Sequence, residues 1–417
     1  MANLLVIAYY YPPAGGAGVQ RTLKHVKYLP DFGWNPVVLT VNDRLAILRD
    51  PSLAAEVPVG IPVHRAPALL MPQWLPWRLR NFITRWLLVV DDQLGWLPFA
   101  VSHGLKIINQ GKISAIYSTS SPATAHLVAE RLNRDARLPW IADFRDPLLD
   151  NFALIYPTRI HRQIVHKLEE QVCRRASVIT VVSEPMRLKM LHNHPHIDPT
   201  KVVTITNGYD PTDLITVAPA ALESSIFHII YTGSFYTGRL TPESFLNAVR
   251  RLLDEGDIPS QFIKIHLIGN IGQPVVQLIA DLDLEAIVDM PGYVPHATSI
   301  AYLLAADILL LVIGSNPGSE VVFTGKIFEY LAAGKPILAL VPPGAAADLI
   351  YEAHAGWVVD PEDIQKIADR LEQIYALWRE GKLNTGVLPE VVTRYERRKL
   401  TGELAYLLDS ASRSSVG

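Results

Sequence analysis

The residues of this sequence that could act on a ligand stand just beyond apolar, β-branched runs. Pro12-Pro13-Ala14-Gly15-Gly16-Ala17-Gly18 closes the first run and leads into a helical stretch near Val19. Glycines let a backbone approach a ligand closely, and the first N–H groups of a helix are unpaired and partly positive. Gly16 and Gly18 therefore suit an anion such as a diphosphate. A plain strand-to-helix turn would have the same composition. Arg239 follows another run and a glycine turn at Gly233, from which a guanidinium can clamp a diphosphate with two hydrogen bonds. Lys326 comes straight after Gly325 at a helix start and can share that charge role, unless it is one more solvated lysine. Glu329 is one helical turn further on, and a carboxylate can accept two vicinal hydroxyls. In the first half, His126 lies in a helical stretch behind residues 118–122. Asp143, Arg145 and Asp146 cluster at a strand end, where they could bind hydroxyls or pair with one another. For Arg145 the structural role is favoured.

What must hold these residues in place is a scaffold of alternating elements. Apolar runs at 4–10, 36–41, 61–66, 114–117, 140–144, 178–182 and 202–206 read as strands, with helical stretches such as 19–30, 123–135 and 160–176 between them. A second series follows, with strands at 227–232, 263–268, 286–289, 307–313, 336–341 and 356–359. Continuous apolar strands separated by helices are what a parallel sheet covered on both faces needs. In such sheets ligands bind outside the carboxyl ends of the strands, where the polar clusters of this sequence fall. The expected organisation is a first domain over 1–212, a linker over 213–225, a second domain over 226–390 and a helical tail over 391–417.

Composition agrees with that scaffold and removes whole classes of function. At ~100–200 residues per domain, 417 residues make two or three domains. Apolar residues are 49% and charged residues 19% of the chain, which describes folded cores and not a disordered polyelectrolyte. Thirty-eight Lys and Arg face 41 Asp and Glu, for a formal net charge of −3, so the basic footprint of a general nucleic-acid binder is missing. A single cysteine, Cys173, forms no internal disulfide and leaves the reducing cytoplasm as the default compartment. The first run lacks the basic flank and cleavage pattern of a secretion signal, and no stretch of ~18 uncharged apolar residues exists to span a membrane. The dinucleotide fingerprint G-x-G-x-x-G fails at Arg21 or at Ala17, depending on its start, and no Gly-Lys pair is followed by Ser or Thr as a P-loop requires. A dinucleotide-dependent oxidoreductase is therefore disfavoured.

Six segments taken in order resemble glycosyltransferase family 4: YYYPPAGGAGVQRTLK at 9–24, WIADFRDP at 140–147, TNGYD at 206–210, YTGSFYTGR at 231–239, GYVP at 292–295 and GKIFEYLAAGKPIL at 325–338. The resemblance implies the α/β GT-B fold, two facing Rossmann-like doubly wound parallel-sheet domains with an interdomain cleft. It also implies a retaining transfer of a sugar from a nucleoside diphosphate sugar to an acceptor hydroxyl, in bacterial-type polysaccharide or glycoconjugate biosynthesis. The acceptor would be a glycan, a lipid-linked molecule or a small molecule, and neither a cofactor nor an obligatory metal is expected. Arg239, Lys326 and His126 are implied as catalytic. Gly16, Gly18, Gly233, Arg239, Lys326 and Glu329 would bind the donor, with His126, Asp143 and Asp146 on the acceptor side. With no convincing nucleophile in the sequence, the working mechanism is same-face attack, the leaving phosphate taking the acceptor proton.

Two departures from the family pattern stand out. Glu329 matches the second acid of its E-x-F-G-x-x-x-x-E motif, but Val321 replaces the first, beside Glu320, while Phe323 keeps the aromatic position. The family's lysine a few residues after the arginine has no counterpart between Leu240 and Asn247. These departures motivate an alternative, a catalytically weak relative acting as a scaffold or regulatory subunit of a glycan-assembly complex.

Other signals are weighed and set aside. His192, His194 and His196 would align on a strand as metal ligands, but Asn193 and Pro195 indicate a loop and no acidic or cysteine companion is evident. Asp281 and Asp283 read as a solvated helix end, and Cys173 as core. The segment 73–96 is the exception. Leu75, Leu79, Phe82, Ile83, Trp86 and Leu87 form an apolar stripe at helical spacing beside Arg78, Arg80 and Arg85, with further tryptophans at 74, 77 and 96. Packing on its own domain is the ordinary expectation. Peripheral contact with the cytoplasmic face of a membrane through residues 74–88 is the other.

Overall fold

The structure is a computed structural model and describes residues 1–46, 48–72, 74–86, 88–149, 156–235, 241–315, 324–384 and 386–414. The chain forms two compact units, Met1–Thr206 with Arg397–Gly417, and Asn207–Glu396. Each is built on a parallel sheet.

In the first unit, strands β1 (Ala2–Ile7), β2 (Trp34–Val41), β3 (Val63–Ala66), β4 (Ile113–Ser120), β5 (Trp140–Phe144), β6 (Val178–Val181) and β7 (Val202–Thr204) lie in the order β3-β2-β1-β4-β5-β6-β7. Strand β1 shows why its run is apolar throughout. Side chains alternate across a strand, so Leu5 and Ile7 enter one core while Leu4 and Val6 enter another on the opposite face. In the second unit, β8 (Phe227–Thr232), β9 (Ile263–Ile268), β10 (Val288–Gly292), β11 (Ile308–Val312), β12 (Ile337–Leu340) and β13 (Gly356–Val359) lie in the order β10-β9-β8-β11-β12-β13. There Ile308 and Leu310 serve one core, and Leu309 and Leu311 the other.

The unit boundaries differ from those read in the sequence. The chain crosses between units at 206/207, not at 213–225, because that stretch has partners in the second unit: Leu214, Val217 and Leu222 pack against its core. The tail has a definite place. Helix Arg397–Ser414 returns to the first unit and lies along helix Ala17–Tyr28, with Leu400, Leu404 and Leu408 buried among Val19, Leu23 and Val26. His25 Nδ1 meets Thr401 Oγ1 at 2.9 Å, and Trp34 Nε1 donates to Asp409 Oδ1 at 3.0 Å.

A buried ion pair joins the elements of the first unit. Arg21 and Asp143 are 2% and 0% exposed. Arg21 Nε and Nη2 donate to the Asp143 carboxylate at 3.0 and 2.7 Å, and the same guanidinium reaches the carbonyls of Ile205 and Thr206. Tyr117, Thr119 and Thr180 donate their hydroxyls to the remaining acceptor sites of Asp143 at 2.7–2.8 Å. Burial alone would raise this carboxyl, but the Arg21 guanidinium and the hydrogen bonds outweigh it and hold it well below the usual carboxylate range.

Removing one partner strands a buried charge, so Arg21→Leu should lose about 3–5 kcal/mol in denaturant melts, and the Arg21→Leu/Asp143→Leu double variant clearly less than the single. Because the folded carboxyl titrates below its unfolded value, its contribution is complete above about pH 4 and lost as the pH falls further. Melts run below pH 4 should show that share of acid sensitivity in the wild type and not in the double variant.

Candidate active site

In the second unit the carboxyl ends of three adjacent strands turn on glycines. Gly233, straight after β8, has φ +133° and donates its N–H to the Ile268 carbonyl at 2.8 Å. Gly269, straight after β9, repeats this against Gly292 at 2.9 Å. A Cβ on Gly269 would collide with the Gly233 carbonyl oxygen, and one on Gly233 with Lys326 Nζ. Bare backbone is what lets a lysine lie over this edge.

Lys326 is the first residue of helix Lys326–Ala333. Its Nζ donates to Tyr231 OH at 2.9 Å and sits 4.1 Å from the centroid of that ring. The Tyr231 hydroxyl donates onward to the Ser234 carbonyl, and its ring stacks on Phe235 at 4.1 Å. Burial pushes the Lys326 amine down to about 7, with the Glu329 charge partly opposing the fall. An ammonium held this way gains from any anion that reaches it. One turn along the helix, Glu329 Oε1 lies 3.0 Å from His296 Nε2. The second unit thus brings Gly233, Lys326 and Glu329 to one edge, and adds Tyr231 and His296, which sequence reasoning passed over. Tyr231 was inside a quoted motif, and His296 follows GYVP directly. Arg239, Glu320, Val321 and Phe323 lie outside the described residues.

In the first unit, Gly16 adopts φ +94°, which favours glycine, and precedes helix Ala17–Tyr28. Arg145 ties this loop to the next: its guanidinium donates to the carbonyls of Gly18, Ser120 and Ser121, the last at 2.6 Å. Asp146 accepts from Ser121 Oγ at 3.0 Å. Arg145 is thereby a structural clamp, in line with the structural role favoured for it, although it acts through loop carbonyls. Asp143 must be reassigned. Both its oxygens are occupied by Arg21 and three hydroxyls in a closed core, so it has no acceptor site to offer a ligand.

His126 stands on helix Thr124–Ala136 and is fully buried. Its Nδ1 is 2.8 Å from Ser118 Oγ, which also accepts from Trp140 Nε1, and its ring packs 4.5 Å from Phe144. Burial drops its pKa to about 3, so at neutral pH it is an uncharged hydrogen-bonding group and not an acid. Its Nε2 is buried with no hydrogen-bond partner among the described residues. Asp91, unremarked in the sequence, fixes this helix by accepting from Thr124 N–H and Oγ1 at 2.8 and 2.5 Å.

The histidine run has a structural explanation. His194 Nε2 bonds Glu169 at 2.8 Å, and Glu169 accepts the N–H groups of Leu148 and Leu149. Asp281 and Asp283 are exposed at a helix end, and Cys173 is core.

Comparison with known proteins extends over both units. Residues 15–208 match the family profile described as glycosyl transferase 4-like domain, and residues 226–376 the one described as glycosyl transferases group 1. Two curated relatives are similar in sequence, both described as putative colanic acid biosynthesis glycosyltransferase WcaL. The Salmonella typhimurium protein is 27% identical over 143 residues, which are 32% of this chain and 33% of the relative. The Escherichia coli protein is 28% identical over 175 residues, 40% and 41% respectively. The matched parts thus span about a third to two fifths of these relatives. Among solved structures, Anabaena HepE in complex with UDP and glucose superposes with a TM-score of 0.70 at 16% identity, covering 98% of this chain and 100% of that one. Sucrose-phosphate synthase from Thermosynechococcus elongatus gives 0.70 at 16%, covering 98% and 99%. Both support the GT-B fold. With the two profiles following one another along the sequence, the chain belongs to the group 1 glycosyltransferases, of the family 4 type.

Proposed function

We propose that this protein transfers a sugar from a nucleoside diphosphate donor to an acceptor hydroxyl with retention of configuration, in the assembly of a bacterial-type polysaccharide. The observation that carries the reading is the edge of the second sheet, where bare glycine turns admit a half-buried lysine whose amine is short of a counter-charge, one turn from the carboxylate of Glu329. A diphosphate supplies the missing charge and a ribose supplies the hydroxyls. The relatives' description as colanic acid enzymes and the UDP bound in HepE favour the same substrate class.

In this reading Lys326, with Arg239, stabilises the departing diphosphate as negative charge grows on it. Glu329, steadied by His296, holds the ribose. On the acceptor side His126 serves as a neutral hydrogen-bond partner and Asp146 as a hydroxyl ligand. The saturated carboxylate of Asp143 cannot act as a nucleophile, which favours same-face attack with the leaving phosphate taking the acceptor proton.

Incubation with a panel of nucleotide sugars should release nucleoside diphosphate from one of them, and NMR of the product should show the anomeric configuration of the donor. Release from none, with nucleotide binding intact, would favour the scaffold alternative. Because the free Lys326 amine titrates near pH 7 and a bound diphosphate raises it, calorimetric affinity for the nucleoside diphosphate should fall as the pH rises above 7, by up to about tenfold per unit. Lys326→Arg should flatten that dependence. Glu329→Ala should lose the preference for ribose over 2′-deoxyribose nucleotides, since a site built to bond a hydroxyl discriminates by leaving its partner unpaired; a full wild-type ratio in the variant would remove Glu329 from the site.

A further inference from the structure

Helix Trp77–Trp86 turns toward solvent the side chains that a core helix would bury. Leu79, Phe82 and Trp86 are 45%, 52% and 43% exposed, and at ~100° per residue they share one arc of the helix, with Arg78 on one flank and Arg80 on the other. Trp74 and Trp77 add further exposed rings. This surface continues onto a second element. At the start of helix Arg159–Arg175, Ile160 and Ile164 are exposed, and His161 joins the helices: its Nε2 lies 3.2 Å from the Trp86 carbonyl and its ring meets the Trp86 ring edge-on at 5.7 Å.

Charge distinguishes this patch from an ordinary apolar face. No Asp or Glu occurs between Glu56 and Asp91, nor between Asp150 and Glu169, while the two stretches hold Arg78, Arg80, Arg159, Arg162 and Lys167 among their basic residues. Topology gives it a place. One stretch follows the carboxyl end of β3 and the other the carboxyl end of β5, so the patch lies on the edge of the first sheet that also carries the Gly16 and 118–122 loops.

We infer that these two helix segments together seat the first unit on an anionic lipid leaflet, with the aromatic and aliphatic side chains in the headgroup zone and the basic ones against lipid phosphates. No helix among the described residues is long and apolar enough to cross a membrane, so this is attachment at the surface. The inference stands apart from the donor reading and does not depend on it.

Sedimentation of the full chain with phosphatidylcholine vesicles, with and without phosphatidylglycerol, tests it. The wild type should pellet with the anionic vesicles only and be released by salt. Arg78→Gln/Arg80→Gln should weaken partitioning by about five-fold per arginine. Phe82→Ser and Ile160→Ser/Ile164→Ser should each weaken it with melting temperature and nucleoside diphosphate affinity unchanged, which separates this surface from the donor site. Wild-type protein left in the supernatant at low salt overturns the inference, as does a concentration-dependent dimer abolished by Phe82→Ser without vesicle binding. Undiminished binding of the Ile160/Ile164 variant overturns the two-helix surface.

Discussion

A carboxylate closed off from water must be neutralised and hydrogen-bonded, or the fold around it fails. Asp143 imposes that requirement on the first unit, and meeting it sets the positions of residues far apart in sequence. Arg21 must come from helix Ala17–Tyr28, two hydroxyls from β4 and one from β6, while the guanidinium also gathers the chain just after β7. Side chains alternate on a strand, so when Tyr117 and Thr119 face Asp143, Ser118 between them must face the other way. There it meets His126 and Trp140. The orientation of His126 is thus a consequence of an ion pair it does not touch.

The second unit reaches a comparable result by leaving atoms out. Two strand ends close on glycines, Gly233 and Gly269, whose neighbours occupy the space a side chain would need. Into the room this leaves comes Lys326, held against an aromatic ring and a phenol in place of an acid. The first unit spends a buried charge on rigidity, whereas the second keeps one incompletely matched at an edge where a ligand can answer it.

How much of this was legible in the sequence depended on whether the signal was local. Among the described residues, the thirteen strands fall on the runs read in the sequence, most plainly where a strand such as β8 or β11 is covered on both faces and its run is unbroken and apolar. Lys326 and Glu329 could be read together because they lie one helical turn apart, and the Gly233 turn because it ends an apolar run; that Gly233 and Lys326 meet, 93 residues apart, could not. Asp143 was not, since a carboxylate at a strand end looks the same whether it awaits a hydroxyl or is saturated by Arg21, 122 residues away. His296 acquires meaning only through Glu329, 33 residues on. The tail's helical pattern was legible, but its partner is helix Ala17–Tyr28, and no local rule connects them. The stripe near Trp86 was visible as a stripe; that it faces outward, and that a second helix extends it, required the packing.

That return of the tail bears on how the molecule is made. Helix Arg397–Ser414 supplies part of the core that Leu4, Val6 and Leu23 help to form, and it is translated only after the whole of the second unit. The second unit is continuous in sequence and completes itself during synthesis, whereas the first emerges early and must wait, with the flank of its opening helix uncovered, until nearly 200 later residues have been added. Over that interval the nascent first unit exposes an apolar strip that the later helix Arg397–Ser414 covers. The protein's exposure to misassembly and to chaperones is therefore greatest in the half that was translated first.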